Sequence, residues 1–138
     1  WAHNHHFEMY EDVADVLTTL VTSGFKVGAI SNSHRSLDAF TDHFKLAHVI
    51  TTAVSSAEHG YLKPHPSIFE TALERAGVPA AESLMVGDSL KADIEGALSV
   101  GMRGVLLRRS GDIPPRLPGG VEVIKSLHEL PPLLGGFR

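Results

Sequence analysis

Apolar positions along the chain alternate between a helical and a strand-like spacing. Between Met9 and Thr22 they recur every three or four residues, which is the spacing of one helix face. The next segment, Lys26–Ile30, is short, mostly apolar and followed by polar residues, as expected of a buried strand. The same alternation continues to the end of the chain. It predicts an α/β fold, because strands separated by helices form parallel sheets.

The remaining predicted elements follow this rule. The predicted helices are His34–Phe44, Ser67–Ala76 and Leu90–Val100, with a final helix or turn ending at Leu134. The predicted strands are His48–Thr52, Ser83–Val86, Val105–Leu107 and Val121–Ile124, and Arg108–Gly120 is predicted to be a surface loop. Together they describe a Rossmann-like parallel sheet with flanking helices.

Composition limits the classes of function. The 138 residues suffice for one domain, and a net charge of −4 gives no reason to expect a nucleic acid or a membrane surface as partner. The absence of cysteine excludes disulfides and thiol catalysis. We therefore expect a cytoplasmic protein. Because the sequence starts at Trp1 rather than Met, we expect residues 1–138 to be a partial domain and residues 1–8 a linker from a missing N-terminal part.

Polar side chains follow three of the predicted strands. Ser31 and Asn32 end the first strand, Lys63 lies in the loop after the second, and Asp88 follows the third. Ligands of open parallel sheets bind at the carboxyl ends of strands. A hydroxyl, an ammonium and a carboxylate there suit a phosphate with a divalent cation. Taken singly, Ser31 is better explained as a helix cap and Lys63 as a solvated loop lysine, and Asp88 is also typical of a helix cap.

Three stretches resemble the motifs of one enzyme family in the family's order. They are VGAISN at 27–32, GYLKPHPSIF at 60–69 and MVGDSLKADIEGA at 85–97. They resemble the second, third and fourth motifs of the haloacid dehalogenase (HAD)-like hydrolases, best in the branch of phosphatases, phosphoglycolate-phosphatase-like enzymes and dehalogenases. The resemblance implies a HAD-like core in which these motifs surround the active site.

The resemblance also implies a role for each matching residue. Ser31, with Asn32 beside it, would bind the transferring phosphoryl group, and Lys63 would neutralise its charge. Asp88 would ligate Mg²⁺, and Asp93 would orient Lys63 or support the metal shell. Ser31, Lys63, Asp88 and Asp93 would thus be the catalytic residues. The substrate would be a small phosphorylated molecule, hydrolysed through an aspartyl-phosphate.

The family's first motif, Asp-x-Asp, does not occur in this sequence. That motif supplies the nucleophile and ends the central strand of the family's sheet, so we expect the chain alone to be inactive. The missing strand could lie upstream of Trp1, or another chain could supply it through self-association. Alternatively, the domain is a non-catalytic module that binds a phosphate or a protein partner.

Two arginines that follow the fourth predicted strand have two possible roles. Arg108 and Arg109 could bind an anionic leaving group, or they could be solvated loop residues.

Overall fold

The computed structural model describes residues 11–31 and 50–134, and of Glu11–Ala14 and Thr51 only the backbone. The helices are α1 Glu11–Thr22, α2 Ser56–His59, α3 Pro66–Ala76, α4 Gly96–Ser99 and α5 Leu130–Leu133. The strands are β1 Val27–Ser31, β2 Ile50–Ser55, β3 Leu84–Gly87, β4 Arg103–Leu107 and β5 Glu122–Ile124. Asn32, the predicted helix His34–Phe44 and the predicted linker 1–8 lie outside the described residues.

The strands pair in parallel throughout, but they form two sheets. One contains β1 and β2, with Ser31 opposite Ser55. The other has the order β3–β4–β5. Parallel strands with helices packed against them confirm the predicted α/β class. Between the described strands, no ladder joins β1 to β3, so the predicted sheet is divided at this point.

Both sheets nevertheless share one hydrophobic interior. Val27 of β1 and Val86 of β3 pack against the same cluster of buried residues, which includes Val16 of α1 and Leu107 of β4. On the opposite face, α3 contacts β1, β2 and α4. The two sheets therefore lie side by side under the same helices, and β1 and β3 are their facing edges.

Helix α3 forms where the sequence predicts it. Pro66 occupies its first turn, where its missing N–H is not needed, and Gly77 ends it with a φ of +69°. Ile68 and Phe69, adjacent residues near its start, are completely buried. These two side chains anchor the helix to the interior and fix the position of the loop before it.

The structure adds detail to two predicted segments. The predicted helix Leu90–Val100 is π-helical over Leu90–Glu95 before the α-helix α4 begins, because the N–H groups of both Asp93 and Ile94 donate to the Ser89 carbonyl. The predicted loop after β2 begins with the one-turn helix α2. It forms because the Ser55 side chain accepts a hydrogen bond from the Glu58 N–H, 3.3 Å away.

Across the described parts of the chain, no helix is both long and apolar enough to cross a membrane.

Candidate active site

Ser31 and Gly87 end the two facing strands β1 and β3, so the residues around them lie at the same carboxyl edge. Ser31 is 4% exposed. Because Ser31 is the last residue of β1, the strand fixes the position of its backbone. Asp88 follows directly after Gly87 and is exposed.

Lys63 and Asp93 form the central contact of the site. The Lys63 ammonium makes an ion pair with Asp93 Oδ1, and the two side chains are only 9% and 6% exposed. The same ammonium donates to the Ile30 carbonyl oxygen, 3.2 Å away. Lys63 therefore joins the end of β1 in one sheet to the π-helical segment that follows β3 in the other. Its charge lies beside Ser31, the residue after Ile30.

The residues just before Asp93, from Gly87 to Ser89, fix the position of its side chain. Its second oxygen, Oδ2, accepts a hydrogen bond from the Ser89 N–H over 3.1 Å. A β-carbon on Gly87 would overlap the Asp93 side chain, so this position requires glycine. The sequence Gly-Asp-Ser thus serves two needs, since glycine leaves room for Asp93 and the Ser89 N–H binds it.

The loop that carries Lys63 is fixed from its outer side by two histidines and a serine. His65 Nδ1 accepts a hydrogen bond from the Ser67 N–H over 3.1 Å and lies 2.8 Å from the Ser67 hydroxyl oxygen. The Ser67 hydroxyl oxygen also lies 2.8 Å from His59 Nε2. The Tyr61 ring stacks on His65 with a centroid distance of 4.3 Å. These contacts tie α2 to α3 on either side of Lys63.

Asp88 is the described residue best placed to hold a divalent cation. Its carboxylate is exposed at the edge, and its backbone carbonyl accepts a hydrogen bond from the Arg108 guanidinium. Among the described residues, no group of three His, Cys, Asp or Glu side chains could enclose a metal ion. Mg²⁺ commonly binds through one or two carboxylates and completes its shell with water and substrate phosphate. A single carboxylate fits such a site.

The structure thus brings together Ser31, Lys63 and Asp93, and places Asp88 just before the π-helical segment that contains Asp93. Asn32 lies outside the described residues. The sequence did not indicate the Ile30 carbonyl or the requirement for Gly87, because both depend on contacts between distant segments. The only sequence feature that could have indicated the need for glycine was the position of Gly87 immediately before Asp88.

Comparison with known proteins identifies a family and several relatives. Residues 1–107 match the family described as haloacid dehalogenase-like hydrolase. The haloacid dehalogenase-like hydrolase domain-containing protein 3 of Danio rerio is 35% identical over 131 residues, covering 91% of this chain and 52% of that protein. The glyceraldehyde 3-phosphate phosphatase of Methanopyrus kandleri is 39% identical over 111 residues, covering 78% and 47%. The chain spans about half the length of these curated relatives.

Solved structures agree with the sequence relatives. A HAD phosphatase from Thermococcus onnurineus superposes with a TM-score of 0.83 at 33% identity, covering 95% of this chain and 60% of that one. A 2-haloacid dehalogenase from Pseudomonas syringae also gives 0.83, at 30% identity, covering 97% and 56%. The family match over residues 1–107 includes all three motifs. The chain belongs to the haloacid dehalogenase-like hydrolase family.

Proposed function

We propose that this chain forms the phosphate-binding half of a Mg²⁺-dependent phosphohydrolase that acts on small phosphate monoesters. The observation that carries the proposal is the buried Lys63 ammonium, held between Asp93 and the Ile30 carbonyl beside Ser31. Burying a lysine requires a compensating charge, and fixing it at a sheet edge next to a hydroxyl suits an anionic ligand. The similarity to glyceraldehyde 3-phosphate phosphatases favours phosphate chemistry.

In this proposal each side chain has one task. The Ser31 hydroxyl donates to a phosphoryl oxygen, with Asn32 beside it, and the Lys63 ammonium balances the phosphoryl charge. Asp93 acts as a positioning residue, because its two oxygens are engaged by Lys63 and the Ser89 N–H. Asp88 supplies a carboxylate to Mg²⁺, which contributes electrostatic stabilisation of the phosphoryl oxygens when bound.

The nucleophile must come from outside these 138 residues. A covalent route through an aspartyl-phosphate needs an attacking aspartate at the same edge, and the sequence contains no Asp-x-Asp. We propose that a strand carrying this aspartate pairs between β1 and β3. A segment joined to the N-terminus or a second chain would then complete both the sheet and the site.

The first experiment measures binding, because the chain alone should not turn over substrate. Titration with inorganic phosphate in the presence of Mg²⁺, followed by calorimetry, should detect binding that Lys63→Met or Asp88→Asn weakens at least about tenfold. Lys91→Met is the matched control, because Lys91 is an exposed lysine at the start of the helical segment that follows Asp88. No phosphate binding by the unaltered chain would contradict the proposal. So would phosphate release by this chain that depends on Mg²⁺ and is lost in Asp88→Asn.

A second experiment separates catalysis from binding. A longer protein that includes an upstream Asp-x-Asp strand should hydrolyse p-nitrophenyl phosphate, and Lys63→Met should abolish that activity. Binding without turnover in the longer protein would instead support a non-catalytic phosphate-binding module. Hydrolysis of 2-chloropropionate without phosphatase activity would assign the chain to the dehalogenases.

A further inference from the structure

Two histidine side chains converge on one atom beside the loop that carries Lys63. His59 Nε2 and His65 Nδ1 each lie 2.8 Å from the Ser67 hydroxyl oxygen. The two ring nitrogens therefore cannot be further apart than twice that distance. Imidazole nitrogens are typical ligands of Zn²⁺, Cu²⁺ and Ni²⁺, so two of them aimed at one point form the start of a transition-metal site.

A hydrogen bond shows which nitrogen of His65 has a free lone pair. The Ser67 N–H donates to His65 Nδ1 over 3.1 Å. A ring nitrogen that accepts a hydrogen bond carries no proton, so the lone pair of Nδ1 is directed towards Ser67 and the ring proton is on Nε2. A metal ion beside Ser67 would bind this lone pair in place of the hydrogen bond.

Both histidines are attached to ordered helix ends. His59 is the last residue of α2, which ends where the Gly60 N–H donates to the Ser56 carbonyl over 2.8 Å. His65 is the N-cap of α3, and its own N–H donates to the Leu62 carbonyl over 2.9 Å. The backbone of the pair is therefore in place before a metal ion binds, which keeps the entropic cost of binding small.

The two rings are confined by a neighbour and still open to solvent. Tyr61 stacks on His65 with a centroid distance of 4.3 Å, and its ring lies 6.0 Å from that of His59. His65 is exposed and His59 is half-buried, so an ion in solution can reach both. Zinc–nitrogen bonds of about 2.0–2.1 Å require the two nitrogens to lie within roughly 4 Å of each other. Rotation of the exposed His65 ring can bring its nitrogen within this distance.

Acidic residues beside the two histidines favour a cation. Glu58 is the neighbour of His59 in the sequence, and Glu70 follows Ser67 by three residues, which places both on the same face of α3. Both carboxylates are on exposed residues. They lower the electrostatic cost of bringing a divalent ion to the imidazoles.

We propose that His59 and His65, with the Ser67 hydroxyl and water in the remaining positions, bind a transition-metal ion of the Zn²⁺ type. The site is separate from Asp88, because a single carboxylate suits Mg²⁺ and Mg²⁺ prefers oxygen to imidazole. Lys63 lies between the two histidines in the sequence. A metal ion bound to both therefore restricts the loop that positions the Lys63 ammonium.

The test titrates the 138-residue chain with ZnCl₂ at about pH 7.5, where neutral imidazole is available, and follows each histidine ring by NMR. Zn²⁺ should shift the signals of His59 Nε2 and His65 Nδ1 along one binding curve, and Mg²⁺ should shift neither. His59→Ala and His65→Asn should each weaken Zn²⁺ binding at the remaining ring at least about tenfold, since even residues that only support a metal ligand contribute this much. His65→Asn keeps a preferred capping residue, so α3 should still form. His128→Ala, which removes an exposed histidine elsewhere, should leave the binding curve unchanged.

Three results would overturn the inference. Zn²⁺ shifts at His3, His5 and His6 without shifts at His59 and His65 would place the metal ion at the N-terminal histidines. Separate binding curves for His59 and His65, or unchanged affinity in the two variants, would show that the rings do not share an ion. An equal response to Mg²⁺ would show general attraction of cations. None of these results affects the proposed function, which is tested with phosphate.

Discussion

Lys63 and Asp93 are 30 residues apart in sequence and follow strands of different sheets, yet they form an ion pair with little exposure to solvent. Removing one partner of a buried ion pair costs more stability than the attraction between the partners contributes. The reason is that the remaining charge stays buried without a counter-charge. At the scale of single residues, the pair therefore links the stability of the fold to the geometry of the site.

Asp93→Asn keeps the shape of the side chain and removes its charge. We expect it to lower the free energy of unfolding by about 3–5 kcal/mol, because Lys63 would be left buried without its counter-charge. Urea denaturation followed by circular dichroism measures the change. Glu95→Gln, an exposed position two residues away, should change stability by less than about 0.5 kcal/mol.

The double variant Lys63→Met, Asp93→Asn provides the decisive comparison. If the ion pair is the cause, the double variant should be less destabilised than the sum of the two single variants by at least about 1.5 kcal/mol. Additive effects would show that the two side chains act independently and that Lys63 is not held by Asp93.

Sequence alone could indicate Ser31, Lys63, Asp88 and Asp93 as one group, since their order and spacing resemble known motifs. It could not show that Asp93 contacts Lys63 rather than a metal, because that depends on where the π-helical turn places its carboxylate. Nor could it show the contact of Arg108 with the Asp88 carbonyl, since a backbone acceptor leaves no mark in the sequence.

Among the elements, α3 shows most clearly how a local sequence signal positions the site. His65 caps the helix with its Nδ1 atom, and Phe69 and Ile68 bury its first turn. The Pro and Gly signals at its two ends were visible in the sequence, so its limits were predicted to within one residue. The π-helical segment after β3 was not predicted, because its distinguishing feature is a pair of hydrogen bonds to one carbonyl, that of Ser89.

The cap of α3 gives a prediction at this scale. His65→Ala removes the acceptor for the Ser67 N–H and should destabilise the protein by about 1 kcal/mol. His65→Asn should retain most of the stability, because asparagine is a preferred capping residue. Urea denaturation of both variants distinguishes the cap from the ring stacking with Tyr61, which only the histidine provides. Equal losses in the two variants would assign the effect to the stacking.

At the scale of the whole molecule, the described strands form two sheets that are separated between β1 and β3. Strand β4 is paired on both sides, whereas β1 and β3 are each paired on one side and face each other without a ladder. Their residues are mostly half-buried, although the interior strands of parallel sheets are normally covered. Unpaired strand edges are sites at which another strand adds. The edges of β1 and β3 are therefore the places at which a further parallel strand could pair.

Hydrogen exchange tests this proposal across the molecule. Amides of β4 should exchange slowest, because β4 is paired with both β3 and β5. In β1 and β3, the amides that point away from β2 and β4 should exchange at least about tenfold faster than their paired neighbours. When an apolar strand ending in Asp-x-Asp is supplied, by extending the chain or as a second chain, these amides should become protected. If they were already as slow as those of β4, the two edges would be closed on each other. The nucleophile would then have no strand position beside Ser31 from which to act.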